Sequence, residues 1–268
     1  MKFKALLPAT ALLLVTILAY LPSTGNGFIW DDDSYVYMNQ TLDSPKALSQ
    51  IWFKPSASPQ FYPLVFTGFW IEKQLWGLNP AGYHWTNVLL HATAAILLWR
   101  ILRRLELPGA FAAAAVFALH PIHVESVGWI TERKNVLSGF FYLGSLLAYL
   151  RFARVDCVLI LPPTLSDATK NRRKSNQPSS AARLLRKAFS PGGWGWYGFA
   201  FLLFCAALLS KTVTCSLPAV VLLLLWWKHE RMTARNVSAL VPFFLLGLAM
   251  GLMTATLEKQ QVGAEGDE

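Results

Sequence analysis

Apolar residues run in long stretches along this chain, and polar residues gather between them. Seven stretches approach the roughly 20 mostly apolar residues that a helix needs to cross a bilayer: Ala5 to Leu21, Tyr83 to Leu102, Ala110 to Trp129, Val136 to Phe152, Trp194 to Ser210, Thr214 to Trp227 and Val237 to Leu257. The pattern predicts an all-α integral membrane protein of about seven transmembrane helices. The sixth stretch is short and contains Pro218, so a break or a tilt is expected there. Lys2 and Lys4 ahead of the first stretch would also suit a secretory signal. That stretch leaves through Ala19-Tyr20-Leu21-Pro22 with no small-x-small cleavage site, so a retained anchor is expected.

Composition supports the membrane class. Of 268 residues, 54% are hydrophobic and 15% charged, and mean hydropathy is +0.38. Soluble domains carry about 25% charged residues.

Two polar segments interrupt the apolar pattern. The first, residues 22–82, is long for a loop, and loops of that size are usually functional or disordered. Its composition is not that of disorder: Pro45 to Phe53 and Tyr62 to Trp76 mix Phe, Trp, Leu and Ile with Lys and Glu, which predicts helices lying at the membrane interface. The second, residues 154–193, is polar and basic around Asn171-Arg172-Arg173-Lys174, especially from Asp167 to Ser180, and reads as a flexible linker near anionic lipid.

The net charge of +9 would fit a nucleic-acid partner if it decorated one surface. Its distribution argues against that. Placing the N-terminus inside puts 17 of the 24 Lys and Arg in cytoplasmic connections, which is the charge rule of membrane orientation. The positive charge is therefore topological, no nucleic acid is expected, and residues 22–82 face outward. Cys157, Cys205 and Cys215 show neither metal spacing nor a disulfide framework and are expected to pack as small apolar residues.

Candidate chemistry gathers at the outward ends. Trp30-Asp31-Asp32-Asp33-Ser34 sets three carboxylates side by side, and they need a cation or hydrogen-bond donors beside them. They suit a general base, a metal ligand or both, and equally a solvated turn or helix cap. His120-Pro121-Ile122-His123-Val124-Glu125 and Thr131-Glu132-Arg133-Lys134-Asn135 follow at the end of the third stretch. Their His and Glu residues suit a metal site or a proton relay, and Arg133 and Lys134 suit phosphate, while bundle-closing hydrogen bonds would also account for them. Pro121 turns His120 away from helical geometry. His84, Asn87 and His91 share one face of the second stretch and are expected to bond between helices. Lys211, in the outward turn Ser210-Lys211-Thr212, would snorkel to headgroups or hold a lipid phosphate.

Phe28-Ile29-Trp30-Asp31-Asp32, then Phe61-Tyr62-Pro63-Leu64, then His120-Pro121-Ile122-His123-Val124-Glu125-Ser126-Val127 with Glu132-Arg133, then Leu209-Ser210-Lys211, resembles the transmembrane O-mannosyltransferases that carry tetratricopeptide repeats, and their bacterial relatives, within the GT-C superfamily. The resemblance implies inverting transfer of a sugar, mannose in that family, from a polyprenyl-phosphate carrier to a protein hydroxyl. It makes Asp31 the base and Asp32 its orienting partner or a metal ligand. Asp33 is an extra acid that would join Asp32 at a divalent ion such as Mg or Mn. His120, His123, Glu125, Arg133, Lys134 and Lys211 fall to the donor phosphate and substrate side. The expected partners are the lipid-linked sugar, a protein acceptor and membrane lipid; the expected location is a bacterial inner membrane with the site on the periplasmic side. The chain stops at Glu265-Gly266-Asp267-Glu268, just after the seventh stretch, so the further spans and repeats of that family are expected to be missing from it. A transporter would need charges at the membrane midplane and an internal pseudo-repeat. A non-catalytic membrane anchor would have no need of Asp31 and Asp32.

Overall fold

The computed structural model describes residues 3–155, 193–228 and 234–262. Lys2, Cys157, the polar stretch Asp167 to Ser180, Lys187, Arg231 and the acidic tail lie outside the described residues. Within them the fold is all-helical, with no β-strand.

Helix α1 (Phe3–Tyr20) runs on through a 3-10 turn at Leu21–Gly25, and together they make a 20-residue apolar span, Leu6–Gly25. The chain then folds α2 (Gln40–Asp43), α3 (Ala47–Phe53) and α4 (Pro63–Trp76) against one another. The two longer helices fall where the aromatic-rich sequence predicts them. Part of their apolar surface enters a core, where Ile51, Val65, Phe66 and Phe69 pack with Tyr35, Val36, Tyr83 and Ile130, and part stays exposed, as at Phe53, Ile71 and Leu75. The Lys73 ammonium reaches Asp43 at 2.7 Å and closes α4 onto α2.

Asn79 begins α5 (Pro80–Arg104) by accepting the Ala81 N–H, Pro80 takes a first-turn position where its missing N–H costs nothing, and Arg103 and Arg104 sit at the negative end of the helix dipole. This 25-residue helix is the second candidate span by length and composition. The third stretch is broken. Pro121 holds His120 extended, at φ −65° and ψ 130°, so α6 (Ala110–Leu119) ends there and α7 (Val124–Gly128) restarts after a 3-10 turn, bent by 47°.

After α7, helix α8 (Arg133–Phe152) packs along both α5 and α9 (Trp194–Ser210). A 3-10 turn, Thr212–Ser216, leads into α10 (Leu217–Lys228), which starts where Pro218 permits a helix to start. Helices α11 (Ala234–Ser238) and α12 (Val241–Val262) complete the described chain, and Leu208, Leu217, Val221, Leu225 and Phe243 join α8 in one core.

Two helices are therefore long and apolar enough to cross a membrane, and three if the bent pair counts as one span. The other apolar helices are shorter. Trp194–Ser210 has 17 residues, about 26 Å of helix at 1.5 Å per residue, against a hydrocarbon layer about 30 Å thick. Helix α8 carries Arg133 and Lys134 in its first turn and Arg151 in its last.

Candidate functional site

The three adjacent aspartates have three different surroundings. Asp32 is wholly buried. One of its carboxylate oxygens accepts the backbone N–H and the hydroxyl of Thr131 at 2.8 and 2.6 Å, and the other accepts the Ile29 N–H at 3.0 Å. Donors rather than a cation hold this charge. Asp33 is half-buried and accepts the Ser34 N–H at 2.6 Å. Asp31 is exposed, at the mouth of a single π-helical turn, Asp33–Tyr37, a local geometry that recurs at functional sites.

A polar network faces that turn from the start of α8 and the end of α9. Glu132 pairs with Lys134 at 3.0 Å and accepts from the Asn135 amide. Lys211 donates to the Asn135 side-chain oxygen Oδ1 at 2.5 Å, and the Asn135 side-chain amide also donates to the Ser126 hydroxyl at 3.0 Å. The Lys134 ammonium lies 5.6 Å over the Tyr35 ring, and the Tyr35 hydroxyl donates to Gln60 at 2.7 Å. Burial pushes the Tyr35 phenol up, and Tyr62, Asp31 and Glu132 push it further, so it stays a neutral donor. Burial holds the Lys211 ammonium below the ordinary lysine range and Lys134 adds to that, while Glu132 opposes it.

Arg133 faces the other way. Its guanidinium grips both Glu72 oxygens at 2.9 Å, donates to Asn87 and to the Tyr83 carbonyl at 2.9 Å, and lies 5.2 Å from the centroid of Phe69. Only 3% of its side chain and 6% of that of Glu72 are exposed, so the pair ties α4, α5 and α8 together in the interior. Asn87 also donates to the Trp129 carbonyl and the His91 ring bonds the Ala118 carbonyl, as expected for residues bonding between helices. His84 is buried beside the backbone of Asn26 and Gly27 without reaching hydrogen-bond geometry.

The chain is similar to protein O-mannosyl-transferases. Protein O-mannosyl-transferase F38B6.6 of Caenorhabditis elegans is 27% identical over 175 residues, 60% of this chain and 25% of the relative. Protein O-mannosyl-transferase tmtc2 of Xenopus laevis is 35% identical over 146 residues, 50% of this chain and 18% of the relative. Protein O-mannosyl-transferase Tmtc1 of Drosophila melanogaster is 33% identical over 147 residues, 50% and 17%. The chain spans about a fifth of the length of these curated relatives. No family model and no solved structure matches it.

The fold therefore brings Asp31, Lys134 and Lys211 to one end of the bundle and leaves other predicted residues elsewhere. His120 caps its own 3-10 turn by accepting the Ile122 N–H, and the His123 ring stacks among Phe117 and His91. Glu125 lines a separate cavity, on which neither Lys134 nor Lys211 lies. Among the described residues no three His, Cys, Asp or Glu side chains converge to hold a metal ion, and the donors around Asp32 and Asp33 are N–H and O–H groups that compete with one. Tyr35 escaped the sequence reading as a site residue, and Glu132 and Asn135 entered it only as part of the segment Thr131 to Asn135. Their signal was weak: only the contact between the loop after α1 and the start of α8 brings them near Asp31 and Lys211.

Proposed function

We propose that this chain carries the acceptor-activating and phosphate-facing groups of a membrane glycosyltransferase, one that moves a mannosyl unit from a polyprenyl-phosphate carrier to a protein hydroxyl with inversion. The observation that carries the reading is the surroundings of Tyr35: the Lys134 ammonium lies over its ring, the exposed carboxylate of Asp31 acts electrostatically on its hydroxyl, and Lys211 bonds Asn135, the residue after Lys134. Similarity to proteins named protein O-mannosyl-transferase supports it.

Asp31 takes the proton of the acceptor hydroxyl as its oxygen attacks the anomeric carbon. The bond from that carbon to the carrier phosphate breaks as the new bond forms, and the phosphate leaves as an anion. Lys134 and Lys211 stabilise its growing charge. Glu132 sits between the two lysines in charge terms and keeps the pair from repelling until the phosphate arrives. Asp32 is a positioning residue: it ties the loop bearing Asp31 to Thr131. No metal enters this scheme.

In this reading the shorter apolar helices and α8 complete a bundle of seven membrane crossings, with the N-terminus cytoplasmic and Asp31 on the outer side, in keeping with the placement of Lys and Arg.

The test is transfer of labelled mannose from polyprenyl-phosphate mannose to protein, in membranes containing the chain and its Asp31→Asn variant. Asp32 must stay intact in that variant, because its carboxylate holds the fold. Label that disappears with Asp31→Asn supports the reading. Label that is unchanged refutes Asp31 as base; absence of label from this chain and from a version extended to the length of the relatives refutes the transferase.

A further inference from the structure

Three charges at the start of α8 and the end of α9 form one chain of contacts. Lys134 holds one Glu132 oxygen at 3.0 Å, the other Glu132 oxygen accepts from the Asn135 side-chain amide, and Asn135 Oδ1 accepts from the Lys211 ammonium at 2.5 Å. The amide of Asn135 links the groups without adding charge, so two positive charges and one negative leave this seat with a net charge of +1. Only 14% of the Lys134 side chain and 13% of that of Glu132 are exposed, and Lys211 is half-buried, so these charges meet protein more than water. Glu132 and Lys134 are also the charges that act on Lys211.

A charge held mostly out of water has to be matched. Attraction of an anion to the seat grows in proportion to the anion's charge, while the cost of taking it out of water grows as the square of that charge. One negative charge brings the seat to neutrality, and a second is left without a partner beside Glu132. A sugar carried on a lipid monophosphate is a phosphodiester with a single negative charge. The carrier left after transfer is a phosphomonoester, which carries about −1.5 to −2 at pH 7. Diphosphate-linked and nucleotide-linked sugars also carry more than one negative charge.

We infer that Glu132 is a specificity-determining residue: it makes the seat of Lys134 and Lys211 select a singly charged phosphodiester over the doubly charged carrier phosphate. This rests on the reading of the two lysines as the phosphate-facing groups of a transferase. Charge balance through the transfer agrees with it. As the bond from the anomeric carbon to the carrier oxygen breaks, its electron pair stays on the phosphate, and the acceptor hydroxyl's proton passes to Asp31. One carboxylate loses the charge that the phosphate gains. Asp31 and Glu132 both act electrostatically on the Tyr35 hydroxyl. Once Asp31 returns its proton to water, the carrier dianion exceeds the charge of its seat by one, which favours its departure over that of the donor.

The experiment is calorimetric titration of the full chain in detergent micelles with two probes: farnesyl methyl phosphate, a diester that stays singly charged, and farnesyl phosphate, whose second proton leaves at about pH 6. At about pH 8 the diester is expected to bind about tenfold more tightly, and at about pH 5 the two are expected to bind alike. Glu132→Gln leaves the seat with two positive charges and is expected to raise monoester affinity about tenfold, which removes the preference. Glu132→Asp keeps the charge and is expected to keep the preference. A preference that survives Glu132→Gln, or a monoester bound more tightly than the diester by the parent chain at alkaline pH, overturns the inference and leaves the phosphate role of the lysines standing. A parent chain that melts cooperatively and binds neither probe overturns both. If Glu132→Gln does not fold, the parent chain decides alone: a preference that does not grow with pH overturns the inference.

Discussion

Thr131 and Asp32 lie 99 positions apart, and Thr131 gives both its backbone N–H and its hydroxyl to one oxygen of the Asp32 carboxylate. That pair of hydrogen bonds joins the loop after α1 to the turn before α8, and so holds the segment that carries Asp31 beside the start of α8. A hydrogen bond to a buried charged group contributes about 1.5–3 kcal/mol. Thr131→Val, which keeps the shape and removes one donor, is expected to lower stability by about 2 kcal/mol on that scale. Thermal melting in detergent reads it. Asp31→Asn, at an exposed position, is expected to melt like the parent chain.

Arg133 gives a sharper contrast. Removing one partner of a buried ion pair leaves the other charge uncompensated and costs about 3–5 kcal/mol, so Glu72→Ala is expected to destabilise on that scale. Arg133→Lys is expected to fail as well, because an ammonium does not reproduce the fork that grips Glu72, Asn87 and Tyr83. Restored stability in the double variant Glu72→Leu, Arg133→Met would identify the pair as structural. An Arg133→Lys chain that melts normally but binds polyprenyl phosphate more weakly would return Arg133 to the donor side.

Removing a general base typically lowers rate by roughly 100- to 10,000-fold, and Asp31→Asn is expected to fall in that range in the mannose-transfer assay. Lys134→Met and Lys211→Met are expected to lower transfer too, with weaker binding of the carrier phosphate as the distinguishing mark. Rates with each variant at saturating donor separate the two cases.

The pH dependence of Lys211 has a definite sign. Burial and Lys134 lower its pKa from 10.5, so the folded chain releases this proton at lower pH than the unfolded chain does. Between the two values the unfolded state holds more protons, and this residue's contribution to stability rises with pH across that window. Binding of an anion runs the opposite way, falling as Lys211 loses its charge. Lys134→Met removes a neighbour that depresses Lys211, so the alkaline fall in polyprenyl-phosphate binding is expected to move to higher pH. Binding measured across alkaline pH checks both signs.

Helix start and stop signals were legible where local chemistry decides them. Pro121 breaks α6 from α7, and Pro218 stands where the sixth stretch breaks and α10 starts; Asn79-Pro80 and Arg103-Arg104, which open and close α5, lie just beyond the stretch Tyr83 to Leu102 that apolarity alone marked out. Each effect acts within one turn of helix, through a cap, a missing N–H or a dipole. The buried role of Glu72 also left a trace: it falls three residues after Phe69 and seven after Val65, on the apolar stripe of α4, where a charge needs a partner.

The sequence alone determined that the chain is helical and apolar enough for a membrane, and that its ionisable residues concentrate at the ends of the apolar stretches, because period, length and polarity are local quantities. Which carboxylate is free was decided only by the tertiary structure. Asp31, Asp32 and Asp33 are chemically alike, and the donors that bury one of them arrive from Ile29 nearby and from Thr131 across the fold. The same holds for Arg133 and Lys134, adjacent on α8: helical geometry turns one toward Glu72 in the interior and the other toward Glu132 and Tyr35.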